Sequence, residues 1–145
     1  MQETDRAIIH DWIEILLRQT VEQGKPPGPR ALMDCAESHY RLSGIEEKLQ
    51  PLIGDLTALI GFLSTDMGWR ITHDPQRRTI VADENKPDCV CPLHRAGLVD
   101  HGALCDCSRG FAERMFSRVA GHPVEAEVAQ SILRGAKTCV YRIRY

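Results

Sequence analysis

The spacing of apolar residues changes at Gly68, and this change constrains the fold more than any other feature of the chain. Before Gly68, apolar side chains recur every three or four residues, which predicts helices. After it, residues 69–73 and 79–82 alternate apolar and polar side chains around a turn-rich segment, which predicts a β-hairpin. A chain with helices first and strands afterwards is typical of the α+β class.

Helical spacing predicts four segments in the first half. The first one stops at Gly24, and the prolines that follow it remove backbone donors and fix φ, so residues 24–29 are expected to be a stiff connector. Gly68 stands where a left-handed residue often follows a helix. The four predicted segments are residues 4–24, 30–43, 45–52 and 55–67.

The second half contains the cysteine region and two further strands. A helix is predicted from Ser108 to Ala120, and the runs 124–132 and 138–145 are expected to form a second hairpin. We therefore expect one domain, residues 1–145, in which N-terminal helices (1–67) pack on an antiparallel sheet. The sheet and one further helix after the cysteines belong to residues 68–145.

Composition excludes several classes of protein. A net charge of −2 does not favour nucleic acid as a partner, and no run approaches the roughly 20 apolar residues that cross a bilayer. The first five residues are acidic and lack a basic, then apolar, export signal. The expected location is the cytoplasm, where thiols stay reduced.

Where thiols stay reduced, six cysteines are expected to serve a purpose other than a disulfide framework. Their even number still leaves a disulfide framework as an alternative. Four of them form two Cys-x-Cys pairs. In an extended segment, residues i and i+2 project from one face, so two pairs could supply four thiolates to a tetrahedral metal ion. Thiolates suit zinc or an iron–sulfur cluster and imidazole suits zinc or iron, so the residue types do not choose the metal. Zinc is the cofactor we expect, with an iron–sulfur cluster as the alternative. The paired residues are Cys89, Cys91, Cys105 and Cys107.

Other residues extend this candidate site. His94 follows Cys91 by three residues and Cys139 opens the last strand, so both are candidate ligands, while His101 is less constrained. Cys107 lies near a helix start, where its pKa is expected to fall, and is a candidate nucleophile with His94 as base. Arg109 can bind an anionic cofactor or ligand. Each of these residues also has a plain structural explanation, as buried cysteine or solvent-facing side chain, and Cys35 is expected in the core.

The last third of the chain resembles a known group of domains. The runs 121–124, 131–135 and 139–143 (Gly-His-Pro-Val, Ser-Ile-Leu-Arg-Gly and Cys-Val-Tyr-Arg-Ile) are similar to the end of 4-vinyl reductase-type domains and of L-2-amino-thiazoline-4-carboxylate hydrolase-like proteins. The resemblance implies a small α+β domain that binds a small molecule and, in many members, zinc through cysteines and an acidic residue. Val128 and Ser131 stand where that pattern has a glutamate and a second cysteine, so Cys139 alone carries over.

Three functions follow from these features. The first is a metal-binding, small-molecule-binding or sensor domain; the second is a hydrolase that uses a metal or a thiol; the third is an iron–sulfur redox protein. The first helix is amphipathic and can serve as a homodimerisation arm, but packing on its own domain is the favoured interpretation.

Overall fold

The computed structural model describes residues 2–25, 27–97 and 102–145. Four of the described α-helices precede the first strand. The other two, one short and one long, lie between the second and third strands. The predicted α+β class is confirmed. The helices are α1 (Glu3–Glu22), α2 (Pro29–Leu42), α3 (Ile45–Leu49), α4 (Leu56–Thr65), α5 (Pro92–Arg95) and α6 (Cys105–Ala120). The strands are β1 (Arg70–Asp74), β2 (Thr79–Asp83), β3 (Glu125–Gln130) and β4 (Val140–Arg144).

The four strands form one antiparallel sheet in the order β1-β2-β4-β3. Ile80 of β2 pairs with Ile143 of β4, and both side chains are fully buried on the helix-covered face. On the opposite face Arg142 and Glu127 form an exposed ion pair. The alternation of apolar and polar residues therefore matches a sheet with one packed and one solvated face.

The long helix α6 forms the centre of the molecule. Its residues Met115, Phe116 and Val119 are buried in the main core together with residues of the sheet. The Glu113 carboxylate also accepts a hydrogen bond from the Ala126 backbone N–H of edge strand β3, at 3.0 Å. Helix α6 is thus attached to the sheet by apolar contact and by direct hydrogen bonding.

The other side of α6 contacts α2 and α3. The Glu46 carboxylate of α3 accepts hydrogen bonds from the Tyr40 hydroxyl of α2 and from Arg118 of α6. These bonds, with the Tyr40 bond as the larger cause, lower the pKa of Glu46. One carboxylate therefore links three helices.

Helix α4 begins and ends as the sequence predicts, within two residues. The Asp55 carboxylate accepts a hydrogen bond from the Ala58 N–H at 2.9 Å and caps the helix start. Gly68, just after the helix end, has φ of 73°, the left-handed conformation expected for it. Leu59 and Leu63 point into the core.

No residue of helix α1 is buried, so its apolar side does not pack in the core of the domain, as the sequence favoured. A hydrogen bond of 2.8 Å joins the His10 Nε2 atom to the Ala96 carbonyl. Among the described residues, no helix is long and apolar enough to span a membrane.

We predict that Gly110→Ala lowers the free energy of unfolding by about 1–2 kcal/mol, although alanine is the better helix former. A Cβ atom at Gly110 would lie 2.8 Å from both the Ala36 Cβ and the Met33 Sδ atoms of α2, and the Ala36 methyl group cannot rotate away. Urea denaturation measures the change.

The matched control is Gly61→Ala in α4, where an added Cβ has nothing within 4 Å. This substitution should raise the free energy of unfolding by about 0.5–1 kcal/mol. A stabilising Gly110→Ala would contradict the close approach of α2 and α6.

Candidate ligand cavity and thiol wall

A cavity of about 260 Å³ lies beside α6, between the sheet and the helices of the first half. Most of its surface is aliphatic or aromatic, so it favours an apolar molecule. Besides cysteines, its polar lining residues are His39, Ser43, Lys48, Glu84, Ser108, Ser131 and Tyr141. Its apolar lining comprises Ile45, Leu63, Met67, Trp69, Val90, Leu104, Phe111, Ala112, Met115, Val128 and Leu133.

Four cysteines line this cavity, and we call them the thiol wall: Cys89, Cys91, Cys105 and Cys139. They come from the segment before α5, from the first residue of α6 and from the residue before β4. Their ionisations influence one another, so they lie within electrostatic range. The fold thereby brings together residues that are up to 50 positions apart in the sequence.

Burial dominates the acid–base behaviour of the thiol wall. It raises the pKa of Cys89 and of Cys105, and it raises the pKa of Cys139 to about 11. Weaker effects oppose it, namely the Cys91 N–H donating to the Cys89 sulfur and the Ile132 N–H donating to the Cys139 sulfur. Without a cation these three thiols are protonated at neutral pH.

The thiol wall has a polar neighbour in Ser131, which is 1% exposed. The Ser131 hydroxyl lies 2.9 Å from the Cys105 sulfur. Val128 and Ser131, where the pattern expected from the sequence has a glutamate and a cysteine, both line the cavity.

Glu84 is a cavity residue that the sequence analysis missed. Burial raises the pKa of its carboxyl to about 7, and a hydrogen bond with Tyr141 partly offsets this effect. The Glu84 N–H donates to the Cys139 carbonyl at 3.0 Å, which fixes the residue beside the last strand. A signal was present, because Ile80 and Ala82 alternate along β2 and Glu84 follows at the next alternate position, just after the strand ends.

Cys107 does not line the cavity, and the reason is the start of α6. The helix begins at Cys105, three residues before the predicted start at Ser108. Residues i and i+2 of a helix project about 200° apart, so the assumption of a shared face is wrong for this pair. Cys107 instead packs with Leu32 and Ala36 of α2.

The electrostatic expectation for Cys107 is also wrong. Burial raises its pKa to about 11, whereas the helix start was expected to lower it. A buried thiol with a raised pKa is a weak nucleophile. Cys35, expected in the core, is exposed on α2.

The remaining candidates lie apart from the cavity. His94 is half-buried in α5 and is not a lining residue. The Arg109 guanidinium is bound to Glu113 at 2.9 Å and to Asp106 at 3.3 Å, on α6 itself. It therefore interacts with neighbouring carboxylates rather than with a cavity ligand. His101 lies outside the described residues.

The donor atoms do not form a finished metal site. Among the described residues, no three histidine, cysteine, aspartate or glutamate side chains converge closely enough to hold a metal ion. The chemistry of the donor set nevertheless suits zinc, because the thiol wall offers several sulfurs and Glu84 offers a carboxylate at the same cavity.

Comparison with known proteins adds little. No family model matches the chain. No curated protein matches it either. The crystal structure of a trafficking protein particle complex subunit 3 from Naegleria fowleri, covalently bound to palmitic acid, is similar at 13% identity over 95% of both chains, with a TM-score of 0.45. A TM-score of that size assigns neither a fold nor a function.

We predict that Glu84→Gln changes how stability depends on pH in the metal-free protein. The carboxyl has a pKa of about 7 in the folded protein and 4.5 ordinarily, so the unfolded chain ionises first as the pH rises. Wild type should lose up to about 3 kcal/mol of stability between these two values, and the variant should lose less.

Denaturant unfolding at several pH values, with a chelator present, measures this difference. Glu125→Gln is the control, since Glu125 is exposed at the start of β3 and should leave the pH dependence unchanged. Equal pH profiles for wild type and Glu84→Gln would show that Glu84 is not buried as described.

Proposed function

We propose that this chain is a small-molecule-binding domain whose ligand occupies the cavity beside α6. The observation that carries the proposal is the cavity itself, about 260 Å³ of mainly apolar space inside a small domain. Close packing normally leaves few voids larger than a water molecule, so a cavity of this size needs an occupant or a function. The ligand class is a small, largely apolar organic molecule.

Three polar groups of the cavity lie together and can orient a ligand. The Glu84 carboxyl and the Tyr141 hydroxyl interact with each other and both line the cavity. Ser108 lies near Tyr141 on the α6 side and contributes a further hydroxyl. A ligand with one hydroxyl or amine group among apolar atoms would satisfy these partners.

A sensor role follows from the position of α6. One face of this helix lines the cavity through Ser108, Phe111 and Met115, and another contacts α2 closely at Gly110. A ligand that shifts α6 must therefore also shift α2, which provides a physical route from binding to a surface change. Reduced thiols on the cavity wall fit a cytoplasmic setting.

We predict that indole binds the wild-type protein and that Leu133→Trp weakens this binding at least about 10-fold. Leu133 is a half-buried lining residue, so a larger ring there fills part of the cavity without replacing a core side chain. Chemical-shift changes in two-dimensional NMR spectra report the affinity and the residues affected.

The control is Leu42→Trp, since Leu42 is 77% exposed at the end of α2 and does not line the cavity. It should bind indole like wild type. Equal weakening in both variants, or shifts confined to residues outside the cavity, would reject the cavity as the binding site.

Zinc binding by the thiol wall is the second candidate function. It is favoured by one observation, namely that four cysteines from three separate parts of the chain line the same cavity. A divalent cation would offset the burial that keeps these thiols protonated and would stabilise their thiolates. Bound zinc would supply a positive charge next to the ligand, and an open coordination position would permit hydrolysis.

We predict that Cys89→Ser, Cys105→Ser and Cys139→Ser each lower the zinc content of protein purified without oxygen by at least about half. Cys35→Ser and Cys107→Ser are the controls. Both should retain the zinc content, because Cys35 lies on α2 and Cys107 packs against α2. Elemental analysis gives the stoichiometry. Iron with sulfide and a brown colour would favour the iron–sulfur alternative. A wild-type protein without metal would leave small-molecule binding in the cavity as the proposed function.

A further inference from the structure

Helix α1 contacts the domain through its less apolar side. The half-buried residues of this helix are His10, Glu14, Leu17, Thr20 and Val21, and all except Thr20 lie on one side of it. His10 makes the hydrogen bond to the Ala96 carbonyl from this side. The side that faces the domain therefore includes an imidazole and a carboxylate.

The opposite side of α1, which we call the outer face, is apolar and exposed. Its members are 42–65% exposed, and none is covered by another described part of the chain. An amphipathic helix ordinarily turns its apolar side towards its own core. The outer face consists of Ile8, Ile9, Trp12, Ile13, Ile15 and Leu16.

The charges of α1 argue against a lipid or nucleic-acid surface as the cover. The helix carries five acidic residues, Glu3, Asp5, Asp11, Glu14 and Glu22, and two basic residues, Arg6 and Arg18. Helices that lie on membranes are usually rich in lysine and arginine, because lipid surfaces are often anionic. The outer face therefore fits an apolar protein surface better.

We propose that the outer face binds the outer face of a second copy of this chain, with the two α1 helices antiparallel and crossing near Trp12. Asp5 and Gln19 each stand seven residues from Trp12, on the same face. The antiparallel arrangement places Asp5 beside Gln19 of the second copy, so that a carboxylate meets an amide donor. It also places Ile8 beside Leu16.

A parallel arrangement is less favourable. It would set Asp5 against Asp5 of the second copy, and two carboxylates at close range repel each other. It would also align the helix dipoles, whereas the antiparallel pair brings each positive helix start near a negative helix end.

The exposed apolar area is sufficient for self-association. The six side chains expose roughly 500 Å² per copy, which is at the upper end of the patches found on monomers. Two copies would together bury about 1,000 Å², near the lower limit for a specific interface. The expected dimer is therefore moderate in affinity, with a dissociation constant on the order of micromolar.

Sedimentation equilibrium of the full chain over about a 100-fold range of concentration tests the proposal. Wild type should pass from monomer to dimer, and Trp12→Glu and Leu16→Glu should each raise the dissociation constant at least about 100-fold with an unchanged helical circular-dichroism signal. Leu42→Glu, at an exposed leucine of α2, should dimerise like wild type.

Disulfide cross-linking tests the orientation, in a background that lacks the exposed Cys35. A mixture of Ile8→Cys and Leu16→Cys proteins should form the mixed disulfide. Ile8→Cys alone should not link to itself, because two such positions would be roughly 12 Å apart along antiparallel helices.

The proposal would be overturned by a wild-type monomer at every concentration, by a dimer that persists in both glutamate variants, or by efficient self-linking of Ile8→Cys. Binding to mixed phosphatidylcholine and phosphatidylglycerol vesicles that depends on Trp12, without dimerisation, would also overturn it in favour of a lipid surface.

Discussion

The close packing of α6 against α2 on one side and against the sheet on the other is the contact on which the rest of the structure depends. Gly110 permits it, since any side chain there would meet Ala36 of α2. On the sheet side Phe116 and Val119 are fully buried, and Glu113 binds the backbone of β3. A helix held this tightly on both sides positions every residue that it presents, including Cys105 at its start.

The cavity follows from the same arrangement. Farther along α6, large side chains fill the space against the sheet, whereas Ser108 and Ala112 are small and leave room beside Tyr141 and the thiol wall. The polar groups that remain there are largely removed from water, so burial sets their acid–base behaviour. It favours protonated thiols and raises the pKa of Glu84 to about 7, and both effects make a cation or a hydrogen-bonding ligand favourable in this space.

Local patterns predicted the secondary structure well because they depend on neighbours in the sequence. The end of α4 at a left-handed Gly68 and the alternation that produces both hairpins are properties of short segments. Local patterns failed at the start of α6. The helix begins at Cys105, three residues before the start that the apolar repeat predicted. That small difference separates Cys105 from Cys107 and changes which thiols can act together.

The sequence by itself determined the order of helices and strands, the solvated face of the sheet and the abundance of cysteine in the second half, because periodicity and composition are local quantities. Only the tertiary structure decided that Cys139 and Glu84 join Cys89 at one cavity, since strand pairing brings distant segments together. It also decided that Cys35 is exposed and that α1 turns its apolar face outward. Burial and side-chain direction depend on what packs against a residue, and a pattern of neighbours in the sequence does not contain that information.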